Sequence, residues 1–280
     1  MKKGGSGSRK NKSSNICAHH ITGKDAELTC FDKQALIRIA ESLNDKKGTQ
    51  LIKIQGRSKE DLWKQIQKVM QKKCGNDEVC WAKNTGQRSL IKEHFKPVRP
   101  KGGRYAWLSS LDIEDIMRQY EKKYKDFIFF GPLPSDFDKI ITELKGQELK
   151  RLCTKGIKRI GIVLNTDPHN RPGQHWVAFF FDLTGPKASI EYYDPLGKPP
   201  FKSINEYMKN LSIYLYMKMN KEAIRKINKE PHQRKDGQCG VFSTAYIVKR
   251  LNGKSFEDIM VDNIMTDGGR ADCRDYYFRD

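Results

Sequence analysis

The sequence lacks any long hydrophobic run. Its longest unbroken apolar stretch, Trp176–Phe181, is six residues, whereas a membrane-crossing helix needs about 20. It also lacks an apolar segment behind its basic start. Lys2, Lys3, Arg9, Lys10 and Lys12 are followed by polar residues, so no secretory signal is read and a soluble protein made in the cytosol is expected. Paired Cys-x-x-Cys motifs are missing as well. The seven cysteines (Cys17, Cys30, Cys74, Cys80, Cys153, Cys239 and Cys273) are odd in number and widely spaced. That pattern argues against a disulfide framework and for at least one free thiol. Cys74 and Cys80 read as loop or buried thiols. Cys17, His19, His20 and Cys30 offer zinc-ligand chemistry without zinc-site spacing, so no metal or cofactor is assigned.

Acidic residues are in deficit. There are 53 Lys and Arg against 34 Asp and Glu, a net charge of +19. Such a balance favours polyanions and predicts non-specific DNA binding through a basic surface. The lysines are spread along the whole chain, so no single patch is singled out.

Three regions follow from texture. Residues 1–16 are Gly, Ser and Lys with almost nothing apolar, which predicts a disordered basic tail. Residues 17–100 read as a helical accessory domain. Ala35, Leu36, Ile39 and Leu43 recur at helical spacing, as do Leu62, Ile66 and Val69 in a second candidate over residues 59–72. The turn-rich stretch at residues 98–104 then leads into residues 101–280, read as the functional core. A helix is expected from Asp112, then a short strand over 127–130 ended by Gly131-Pro132. Strands rich in β-branched and aromatic residues are expected over 159–165, 175–183 and 188–193. A helix over 203–218, a strand over 223–228, a helix over 239–251 and a last helix from the Ser255 cap through residue 263 complete the core. Strands flanked by helices after a helical start indicate an α+β fold with a central mixed sheet.

One constellation in the core carries chemistry. Cys239 stands at a predicted helix start, where the helix dipole favours a thiolate. Gly237 and Gly240 flank it, and Gly240 leaves room for a peptide backbone to approach. His175 opens a strand, and a neutral imidazole can take the thiol proton. Trp176, beside it, can limit water access and touch substrate. Asp194 ends the next strand, where it could hold the imidazole tautomer. A hairpin between these strands brings its two ends together. Gln233, six residues before Cys239, can donate its amide to an oxyanion, a group whose loss costs about 3–4 kcal/mol. His169 and His232 compete with His175 for the role of base.

No one of these signals is specific, but their order is. His-Trp, an acidic residue about 20 positions later, and Gln-x5-Cys-Gly resemble the ubiquitin-like-protein protease clan, which contains the SUMO proteases and the adenovirus proteinase. That resemblance implies a papain-like or adenain-type core and four catalytic roles: His175 as base, Asp194 as orienter, Gln233 as oxyanion donor and Cys239 as nucleophile. The stretches over residues 107–138, 161–182, 190–197 and 232–242 further resemble the virion maturation proteases of large cytoplasmic DNA viruses, asfarvirus type. This implies a cysteine endopeptidase in the virion and host cytoplasm, cutting viral structural precursors at Gly-Gly-type sites. Two alternatives stand beside it. One is an isopeptidase removing host SUMO or ubiquitin. The other is a catalytically inactive, basic, nucleic-acid-binding virion protein. Gln238 departs from the resemblance, because many SUMO proteases carry Asp there.

Overall fold

A computed structural model of the 280-residue chain describes residues 16–48, 51–102, 106–140, 146–234, 237–261 and 273–280. The predicted tail at residues 1–16, except Ile16, and the end of the last predicted helix lie outside them. Two compact units emerge. One comprises the chain up to Val98 together with Phe278–Asp280, and the other spans Arg99–Tyr277.

The first unit is helical: α1 (Lys24–Leu28), α2 (Lys33–Lys47), α3 (Lys59–Cys74), α4 (Glu78–Asn84) and α5 (Ser89–His94). Its core gathers Leu36, Ile39, Leu62, Ile66, Trp81 and Phe95. Here one expectation fails. Cys17 bonds to Cys30 and Cys74 to Cys80. Short loops and a helix end bring each pair together, so sequence spacing alone gave no warning. The pairing also removes these sulfurs as zinc ligands. Among the described residues, Cys153 and Cys239 carry the free thiols.

The second unit is an α+β core around one mixed sheet. Its elements are α6 (Ser110–Lys123), β1 (Phe127–Leu133), α7 (Phe137–Ile140), α8 (Gly146–Thr154), β2 (Arg159–Asn165), β3 (Trp176–Asp182) and β4 (Ala188–Tyr193). After them come α9 (Lys202–Met219), β5 (Ala223–Ile227), α10 (Cys239–Leu251), α11 (Phe256–Met260) and α12 (Cys273–Tyr277). The strands run in the order β1-β2-β3-β4-β5. The central pairs are antiparallel and the two outer pairs parallel.

Most bounds shift by a residue or two, and two of the shifts have a clear local cause. The helix predicted from Asp112 begins at Ser110. Ser109 caps it, and Asp112 closes the capping box from the third helical position. β1 does not stop at Gly131-Pro132. It continues to Leu133 through a register shift between Phe129 and Pro132, and its place at the sheet edge tolerates the proline.

Alternation along β3 divides the core. Val177, Phe179 and Phe181 join Leu149, Met208 and Leu211 on the α8–α9 side. The opposite face receives α10. This helix is buried along nearly its whole length, so its apolar sequence reflects enclosure on all sides. It approaches β2 so closely that a Cβ on Gly161 would lie 3.1 Å from Ile247 Cγ2. At its far end Arg250 Nε donates to the fully buried Glu191 at 2.7 Å, and Tyr246 donates to the same carboxylate at 2.5 Å. These contacts anchor α10 on β4. Ser243 Oγ, nearer the helix start, donates to the Trp176 carbonyl at 3.0 Å.

Candidate active site

β3 and β4 pair antiparallel, with Ala178 opposite Tyr193. That register puts the start of one strand beside the end of the other. His175 and Asp194 are the residues just beyond those ends. His175 Nε2 lies 2.7 Å from Asp194 Oδ1. An ionised carboxylate can only accept, so Nε2 carries the proton, which leaves Nδ1 for a further partner. That partner is Cys239, which acts on the imidazole through hydrogen bonding and charge, both raising the His175 pKa. Burial pushes the His175 pKa down. Hydrogen bonds to Asp194 and Cys239, with the charges of both, outweigh it and raise the value to about 9. An imidazolium therefore persists through neutral pH beside the sulfur, an arrangement that stabilises a thiolate.

Asp194 is 2% exposed and firmly held. Leu196 N–H donates to its Oδ1 at 2.8 Å. Its own N–H donates to Asn228 Oδ1 at 2.8 Å, and Asn228 Nδ2 donates to its carbonyl at 2.7 Å. Asn228 lies one residue past β5, so a side-chain amide extends the strand pairing where the backbone ladder has ended. Gly197 N–H closes the turn onto the Asp194 carbonyl at 2.8 Å.

Cys239 is the first residue of α10. Its helical position leaves its own backbone N–H without an intrahelical acceptor. His175, Asp194, Gln233 and Cys239 all line one cleft of about 570 Å³. Gln233 is fixed through its N–H, which donates to the Pro195 carbonyl at 2.9 Å.

Trp176 and Gly240 are placed behind the cleft rather than on its lining. The Trp176 indole donates to the Leu108 carbonyl at 3.0 Å. A Cβ on Gly240 would meet Leu108 Cβ at 3.1 Å and Trp176 Cδ1 at 3.3 Å. The glycine thus makes room for packing. Its expected opening toward a substrate backbone is not what the structure displays. Trp107, 55% exposed, lines the cleft together with Tyr192 and Phe201. Its exposure could not be read from sequence. The competing histidines are engaged elsewhere. Exposed His169 has Nδ1 2.7 Å from Asp136, and buried His232 has Nδ1 3.0 Å from the Tyr193 hydroxyl.

A sulfur at a helix start, sharing a cleft with an imidazole that a buried carboxylate orients, is equipped for acyl transfer through a thiol nucleophile. Comparison with known proteins agrees. Residues 145–270 match the Ulp1 protease family, C-terminal catalytic domain. A protein of Acanthamoeba polyphaga mimivirus named "Putative thiol protease" is 31% identical over 95% of this chain and 93% of its own length. The chain belongs to the Ulp1 protease family. It is a cysteine protease, and the non-enzymatic reading falls with that finding. A cysteine protease of African swine fever virus (isolate Tick/Malawi/Lil 20-1/1983) is 26% identical, over 94% of each chain. The crystal structure of the ASFV pS273R protease shares the fold. Its TM-score is 0.69 at 23% identity, covering 95% of this chain and 96% of that one.

Proposed function

We propose that the chain is an endopeptidase in which Cys239 attacks the scissile carbonyl, His175 moves the proton and Asp194 orients His175. The observation that carries this reading is the 2.7 Å His175–Asp194 pair on the one cleft that Cys239 also lines. The His175 imidazolium faces the Cys239 sulfur, and it is the thiolate form of that sulfur that attacks. Attack forms a C–S bond and a tetrahedral oxyanion, which accepts from the Cys239 N–H and the Gln233 amide. Collapse breaks the C–N bond. The proton on the imidazolium goes to the leaving amine, the acyl group stays on sulfur, and water activated by the now neutral imidazole hydrolyses the thioester.

The substrates in this reading are viral structural precursors cut at Gly-Gly-type sites during virion maturation, in the virion and host cytoplasm. The viral origin of the relatives supports it. Glycines also carry no side chain to seat beside the Trp107 ring. The net charge of +19 supports accessory DNA binding, whose signature is a steep loss of affinity with salt.

The test compares wild type with Cys239→Ala on a precursor carrying a Gly-Gly site. Wild type should cleave it and the variant should not. Cleavage by the variant removes the assignment. A second reading has its own support, since a relative from another African swine fever virus isolate is named "SUMO-1 cysteine protease". In that reading the chain hydrolyses SUMO or ubiquitin conjugates. Turnover of such conjugates far above that of a viral-site peptide would favour it.

A further inference from the structure

Arg274, on the short helix α12, is 1% exposed. A guanidinium stays charged in proteins, and burying one without an anion in contact is costly. Among the described residues no carboxylate pairs with it. Its Nη2 donates to two main-chain carbonyls, those of Ala106 and of Gly237, the latter at 3.3 Å. Nε and Nη1 have no hydrogen-bond partner among the described residues.

Those two carbonyls place Arg274 in the architecture of the cleft. Ala106 precedes Trp107, and Gly237 stands two residues before Cys239. Trp107, Gly237 and Cys239 all line the cleft. Arg274 therefore ties the wall that bears the exposed indole to the loop that delivers the sulfur, from a place the solvent does not reach.

We propose that Arg274 is a positioning residue of the catalytic centre. It clamps the Trp107 segment to the nucleophile loop and supplies a second buried positive charge to the Cys239 thiolate. This rests on the reading of Cys239 as nucleophile. Both bonds leave from one nitrogen, Nη2, which a rigid planar guanidinium holds in place more firmly than a flexible lysine stem holds its ammonium. Burial and the Arg99 charge push the Arg274 pKa down, while the charges of Asp112 and Cys239 act to hold its proton. Arg99 is itself paired with Asp275 at 2.5 Å. Among the described residues, His175 from the start of β3 and Arg274 from α12 act toward Cys239, Asp194 stands one hydrogen bond behind His175, and Lys198 lines the same cleft. The cost of the buried charge is offset when the sulfur is anionic, so burial of Arg274 and ionisation of Cys239 favour each other.

The experiment measures alkylation of Cys239 by iodoacetamide against pH, read by mass spectrometry on the full chain. Cys153 serves as an internal reference thiol. Kinetics on a Gly-Gly peptide run in parallel for wild type, Arg274→Met and Arg274→Lys. Removing one neighbouring positive charge should move the alkylation midpoint upward by about one pH unit, or roughly tenfold slower alkylation below the midpoint. In Arg274→Met the midpoint should shift and kcat/KM should fall, while Cys153 is unchanged. In Arg274→Lys the midpoint should stay with wild type, but kcat/KM should fall about fivefold as the rigid planar donor is lost. A folded Arg274→Met with the wild-type midpoint overturns the charge role. A folded Arg274→Lys with wild-type kcat/KM overturns the clamp, and this variant decides the proposal if Arg274→Met does not fold. Failure here is separable from failure of the nucleophile assignment, which would appear instead as cleavage by Cys239→Ala.

Discussion

His175 Nε2 and Asp194 Oδ1 are 2.7 Å apart across the end of the β3–β4 hairpin. Nineteen residues separate them in sequence. The hairpin register brings them to one end of the sheet, and the grip on the Asp194 backbone sets the final distance. The same carboxylate oxygen also accepts from Leu196 N–H. Its direction is thus fixed before His175 is considered.

Asn228 is the first test of that grip. Its amide pairs with both the N–H and the carbonyl of Asp194. Asn228→Ala should lower kcat roughly 10–100-fold, the scale of a displacement near 1 Å at a catalytic group. KM should change little. Asn228→Asp keeps the acceptor and loses the donor, so its activity should fall between the two. Steady-state kinetics decides, and a wild-type kcat in Asn228→Ala would show the clamp to be dispensable.

Gly197 tests the turn that follows. Its φ is +69°, and a Cβ there would meet the Lys229 carbonyl oxygen at 2.7 Å and the Pro231 nitrogen at 2.9 Å. These are backbone atoms that cannot swing aside. Gly197→Ala should destabilise the chain by more than about 1 kcal/mol. It should also lower kcat, because Gly197 N–H is bonded to the Asp194 carbonyl. Thermal melting and kinetics on the same preparation check both effects.

The pH profile follows from His175. Its pKa rises to about 9 because bonds to Asp194 and Cys239 outweigh burial. The catalytically poised form carries the proton on the imidazole. The alkaline limb of kcat/KM should therefore lie near pH 9, well above the ordinary histidine range of about 6.5. Asp194→Asn removes the anion that holds this proton, so the limb should move to lower pH while kcat falls by about 10²–10⁴. An alkaline limb near pH 6.5 in wild type would contradict the assigned roles.

Gln233→Ala removes the side-chain donor proposed for the oxyanion. The loss of one such donor costs about 10²–10³ in kcat. The Cys239 alkylation profile should be unaltered, because the donor acts on the intermediate and not on the resting sulfur. Loss of thiol reactivity in this variant would point to a structural role.

Much of the catalytic core was legible before the structure. The strands over 159–165 and 188–193 and the helix over 239–251 have the bounds their residues predict, since dense β-branched and aromatic runs and a Gly-flanked helix start are local signals. Four site residues were named from order and spacing, and the structure brings them to one cleft. Other features left no local trace. Asn228 acts on Asp194 from 34 positions away, and Arg274 reaches Gly237 from 37. Neither carries a motif, because a side chain bonding to a distant main chain imposes no periodicity. Trp176 and Gly240 were legible as important but not in kind. The same small residue serves open backbone or tight packing, and the neighbours Leu108 and Trp176 decide which. The disulfides escaped because pairing depends on which loops meet, which cysteine count does not reveal.

The most direct test of the account is covalent capture of the nucleophile. Wild type and Cys239→Ala are incubated with a peptide vinyl sulfone ending in Gly-Gly, and the adduct is mapped by mass spectrometry. The account predicts one adduct on Cys239, none on Cys153, and loss of both labelling and precursor cleavage in Cys239→Ala. Labelling elsewhere with cleavage intact in Cys239→Ala would contradict it.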